Sequence, residues 1–141
     1  MVKSGFDVYR KTEVETADPL KLVLICYDEA IKNLKIAREK YLNEEFEDKA
    51  YALKRAISFI SELNRALDLE KGGEIAANLH ALYDFMVRHL MEGDLKKDIK
   101  AFDQVIAMLS ELKEAWEIVS YQLGRQRPGS ENRPRVGTAL G

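Results

Sequence analysis

Apolar residues recur along this chain at intervals of three and four, the repeat of a helix that buries one face. The first such stripe is Leu20, Val23, Leu24, Tyr27, Ile31, Leu34 and Tyr41. Asp18-Pro19 opens it: proline suits the first helical position, and the residue before it is pushed towards the extended geometry of an N-cap. The spacing predicts a helix from there to about Leu42, closed by Asn43. A second stripe, Ala50, Leu53, Ile57, Ile60, Leu63 and Leu67, predicts a helix over 46–69, stopped by Lys71-Gly72-Gly73 because glycine accepts left-handed geometry. A third carries Ile75, Leu79, Leu82, Met86 and Leu90 and ends at Gly93. The fourth, with Asp94 as N-cap, carries Leu95, Ile99, Phe102, Ile106, Leu109, Trp116 and Val119.

Short connections between long helices force neighbours to run antiparallel, so the four stripes predict an all-α, up-and-down four-helix bundle. No strand pattern competes. The bundle spans 18–123. Residues 1–17 form an N-terminal arm with Phe6, Val8, Tyr9 and Val14 among charges. Residues 124–141, "GRQRPGSENRPRVGTALG", read as a disordered tail rich in Arg, Pro and Gly.

The apolar surface exceeds what these stripes need. Leu22 to Tyr27 is an unbroken apolar run whose positions point to every side of a helix. Off the stripes lie Leu22, Ile25, Cys26 and Ile36 on the first helix, and Ala52, Phe59 and Ala66 on the second. On the fourth, Val105, Met108, Leu112 and Ala115 form a further line. A bundle helix touches two neighbours, which explains part of this width. The functional reading is a groove for a partner's amphipathic helix, with Phe6, Tyr9, Leu22, Ile25, Cys26, Phe59, Val105, Met108 and Leu112 as its candidate contacts. The arm is expected to fold back over Leu22, Ile25 and Cys26 as a lid anchored by Tyr9.

Composition narrows the classes. With 141 residues, 46% hydrophobic and 33% charged, the chain is one domain with a real core. The apolar run stops at Asp28-Glu29, well short of the roughly 20 residues that span a bilayer, so no stable membrane insertion is expected. Mixed charge precedes it, unlike a secretory signal, and a cytoplasmic location is expected. One cysteine, Cys26, makes no internal disulfide. No carboxylate precedes His80 or His89 by three residues, since Ala77 and Met86 stand there. A di-metal bundle site is therefore not expected, nor any other metal, cofactor or catalytic residue. Gly72-Gly73 lacks the strand and lysine of a phosphate loop. Net charge is −2; residues 124–141 hold four arginines and one glutamate, +3, so the first 123 carry −5. An acidic body and an Arg tail without stacking aromatics argue against nucleic acid.

Two stretches carry a family resemblance. Tyr9-Arg10-Lys11-Thr12, Glu15-Thr16-Ala17-Asp18-Pro19-Leu20-Lys21-Leu22 and Leu24-Ile25-Cys26-Tyr27-Asp28 resemble the opening signature of the flagellin-export chaperones, the FliS family. Ser61 to Leu90, with its Leu-Asp-x-x-x-Gly-Gly-Glu-Ile corner, Asn78-Leu79 and Leu82-Tyr83-Asp84, is similar to the family's central segment. The likeness covers roughly residues 9–119; the Arg/Pro tail has no counterpart in it. It implies an antiparallel bundle that is not an enzyme. In the cytoplasm it would bind the C-terminal segment of flagellin, block premature polymerisation and deliver the subunit to the flagellar export gate. A self-assembling bundle, burying the same stripes in a homodimer, is the alternative.

Overall fold

The computed structural model describes residues 19–125, so the arm and nearly all of the tail lie outside it. Four helices follow one another: α1 (Pro19–Leu42), α2 (Phe46–Arg65), α3 (Leu69–Leu95) and α4 (Lys100–Arg125). Each packs on its neighbours in cyclic order, α1 on α2 and α4, and α3 on α2 and α4, giving the expected antiparallel up-and-down bundle. The α1–α2 contact is the most extensive. Ala30 and Ala37 face it from α1 and Ala52 and Ala56 from α2, all buried, and side chains this small let two helices approach closely.

The turns use local devices that differ from those expected. After α1, Glu45 N–H bonds to Lys40 C=O and Glu44 N–H to Tyr41 C=O, with Glu44 left-handed at φ 60°. After α3 the pattern repeats: Asp98 N–H reaches Gly93 C=O, Lys97 N–H reaches Asp94 C=O, and Lys97 has φ 58°. Both are Schellman caps in which a charged residue occupies the position glycine usually fills. Gly93 does not end α3. It is buried inside the helix, where a Cβ would lie 2.4 Å from Ala101 Cβ, so it is there for the close approach of α4. Asp94 is not the N-cap of α4; Asp98 is the residue that accepts from Lys100 N–H, at 3.1 Å.

The α2–α3 corner also moves. α2 stops at Arg65, and Asp68 caps α3 by accepting from the N–H groups of Glu70 and Lys71 at 3.1 and 3.0 Å. The Gly72-Gly73 pair lies within α3, which kinks at Gly73 (φ 55°, ψ −132°). The carboxylate cap starts the helix before the glycines, which then bend it rather than end it.

The core joins Tyr27 and Leu34 of α1, Leu53, Phe59, Ile60 and Leu63 of α2, Tyr83, Met86 and Leu90 of α3, and Phe102, Val105 and Leu109 of α4. Three expected groove residues are therefore corrected. Cys26 is 5% exposed, and Phe59 and Val105 are fully buried. Ala52 is buried as well. A helix wedged between two neighbours buries a wide arc, so positions beside the main stripe become interior. Ala50, Ile75 and Leu95, read as core, are instead exposed. Val119 also stands partly out, at 38%.

Candidate functional site

One polar knot lies inside the apolar core. Tyr27 and Tyr83 hydroxyls meet at 2.5 Å, and Trp116 Nε1 donates to the Tyr27 hydroxyl at 2.9 Å, tying α1, α3 and α4 together. Burial pushes both tyrosines' ionisation above the ordinary value, so each stays a neutral hydroxyl with a partner. This is structure rather than chemistry. Among the described residues no group of three or more His, Cys, Asp or Glu could hold a metal ion, and no helix is long and apolar enough to cross a membrane.

The surface is more informative. His89 on α3 meets Gln104 on α4, ring Nε2 to Oε1, at 2.5 Å, and Gly93 lies against Ala101. These contacts fix an antiparallel register in which residue numbers fall along α3 as they rise along α4. From Gln104, steps of three and four lead to Met108, Leu112, Ala115 and Val119 on the same side of α4. From His89 they lead back to Phe85, Leu82, Asn78 and Ile75 on α3. The two lines flank one seam. Phe85 stacks on His89 with ring centroids 5.0 Å apart, yet remains 42% exposed, and Ile75 is 73% exposed. Met108, Leu112 and Leu82 are half-buried against the core edge. The seam is least covered near Ile75, because between Leu69 and Leu79 only Ala76 is buried.

The same end of the bundle carries further apolar surface. Leu22 and Ile25 are half-buried and stand outside the core cluster. Asp28–Lys113, at 2.5 Å, and Tyr27–Trp116 set α1 against α4, which places Leu22 and Ile25 level with the exposed Ile118, Val119 and Tyr121. The Asp28 carboxylate raises the Lys113 pKa by accepting its hydrogen bond. A separate cleft of about 650 Å³ runs between α2 and α3 over Leu53, Ile57 and Met91, but Lys54, Glu62, Arg65 and Asp94 also line it.

Of the expected contacts, the structure brings Met108 and Leu112 to the α3/α4 seam and leaves Leu22 and Ile25 accessible at its open end. Cys26, Phe59 and Val105 are interior, and Phe6 and Tyr9 lie outside the described residues. Ile75 and Phe85 were missed as surface residues. Phe85 had a signal in the sequence: it sits beside Met86 and so off the stripe that buries Met86.

A comparison of the whole chain decides the family. The family model for flagellar protein FliS matches residues 3–123. This chain belongs to the FliS family. Relatives agree along most of their lengths. The FliS flagellar secretion chaperone of Salmonella typhimurium is 38% identical over 122 residues, covering 83% of this chain and 90% of the relative. That of Bacillus subtilis is 28% identical over 129 residues, covering 92% and 96%. The flagellar secretion chaperone FliSB of Pseudomonas aeruginosa is 33% identical over 111 residues, covering 79% and 88%. The FliS match takes in all of α1 to α3 and α4 as far as Leu123, so the α3/α4 seam is built entirely from family-matched sequence.

Proposed function

We propose that this protein is a cytoplasmic, non-enzymatic chaperone that holds the C-terminal segment of flagellin, keeps it from polymerising early and delivers it to the flagellar export gate. The observation that carries this reading is the seam: two apolar lines on adjacent antiparallel helices, with Phe85 and Ile75 exposed and, among the described residues, no third helix over them. An amphipathic helix laid there would place its apolar face against Leu82, Phe85, Met108 and Leu112 at matching three- and four-residue intervals. Leu22 and Ile25 at the open end extend the surface on to α1. Such an extended contact suits a segment that folds as it binds, since ordering the segment is offset by wrapping a long surface rather than filling one pocket.

Titration of the purified protein with a flagellin C-terminal peptide, followed by calorimetry, tests the reading. A one-to-one complex with a negative heat-capacity change is expected. Phe85→Asp should weaken it at least tenfold while the melting temperature holds, because Phe85 is already partly in water. A salt-resistant dimer with no affinity for the peptide would overturn it in favour of self-assembly.

A further inference from the structure

We propose that residues 126–141 of this chain occupy the α3/α4 seam intramolecularly and act as a built-in competitor for it. Four observations support this occupant. α4 leads the chain straight from the seam's open end, past Val119 to Arg125. The sixteen residues beyond reach about 50 Å when extended, whereas Ile75 to His89 spans about 21 Å of helix. Charge is complementary. Glu74 on α3 and Glu111 on α4 fall in the same periodic lines as Asn78 and Gln104, and among the described residues neither has an ion-pair partner. Glu92, one turn beyond His89, has only a 3.9 Å contact with Lys96. The segment offers Arg127, Arg133 and Arg135 against a single Glu131, with Val136 and Leu140 four residues apart as apolar anchors. Finally, the family match ends at residue 123, so the segment lies outside the part of the chain that the family model covers.

Tethering supplies a high effective concentration, so even a weak contact of this kind competes measurably with a partner in trans. Arginine–carboxylate contacts at an exposed rim are screened by salt, and the occupant is accordingly released as ionic strength rises. The competition rests on the function proposed above; the docking itself does not.

The test uses the full chain with a nitroxide on Thr138→Cys, the buried Cys26 being spared from labelling. At low salt, Leu82, Phe85 and Leu112 resonances should broaden, and broadening should be lost at high salt or on combining Glu74→Gln with Glu111→Gln. Removal of residues 126–141 should then tighten flagellin-peptide binding about threefold or more. Absence of broadening at the seam, or broadening centred on the α1–α2 face, overturns the proposal. So does broadening that disappears on dilution with unlabelled protein, which would make the contact intermolecular. Docking seen by broadening without any flagellin-peptide affinity would support the tail as occupant and sink the chaperone reading instead.

Discussion

The hydroxyls of Tyr27 and Tyr83 meet at 2.5 Å in the centre of the bundle, the first residue fully buried and the second 2% exposed. With Trp116 they fasten diagonal helices that share little other contact. A buried hydroxyl left without its partner costs about 1–3 kcal/mol. Tyr27→Phe removes a partner from both Tyr83 and Trp116 and should destabilise by about 2–3 kcal/mol, whereas Tyr83→Phe leaves the Trp116 bond intact and should cost less. The double variant should fall short of the sum, as read from urea unfolding midpoints.

The same pair sets an alkaline limit. Both tyrosines have folded-state pKa values raised above the unfolded value, chiefly by burial. Their neutral forms are therefore favoured in the fold, and that contribution is fully present below about pH 10 and lost as pH rises above it. Unfolding free energy should be flat up to that point and then fall by about 1.4 kcal/mol per pH unit for each tyrosine. Tyr27→Phe should make the fall shallower.

The two Schellman caps offer a gain. Left-handed geometry costs a side-chain-bearing residue about 1–2 kcal/mol, and Glu44 and Lys97 bear it at φ 60° and 58°. Glu44→Gly and Lys97→Gly should each stabilise by several tenths of a kcal/mol up to about 1 kcal/mol, after the entropy glycine adds to the unfolded chain. Gly93→Ala should do the reverse, by about 1–3 kcal/mol, because its Cβ would collide with Ala101. Thermal melting separates the signs.

Interior and surface apolar residues should part under charge. Leu22→Asp and Ile25→Asp, half-buried outside the core, are expected to weaken flagellin-peptide capture far more than they lower melting. Phe59→Asp and Val105→Asp bury a carboxylate and should unfold the bundle at a cost of several kcal/mol. Equal collapse in all four would place Leu22 and Ile25 in the interior.

The arm supplies one more measurement. If residues 1–16 cover Leu22 and Ile25 in the free protein, their removal should raise dye binding and speed capture of the flagellin segment. Unchanged dye binding and capture rates would end the lid.

Periodicity and breakers determined a good deal of this protein by themselves. Four stripes at three- and four-residue spacing, Pro19 at a helix start and short connections required an antiparallel bundle, and the motifs around Tyr9–Asp28 and Ser61–Leu90 pointed to the FliS family. The bundle and the family did not depend on any one contact, because both are spread over many residues. What only the tertiary structure decided is which apolar residues face outward. Val105 and Met108 belong to one apolar line, yet the first is enclosed and the second borders the seam. Ile75 shares a stripe with Met86 but stands exposed near the start of α3. The reason is geometric: periodicity assigns a residue to a side of its own helix, whereas burial depends on where the neighbouring helices end and how closely they approach. Gly93 shows the same division. Its sequence suggested a stop, and Ala101 pressed against it made it a contact.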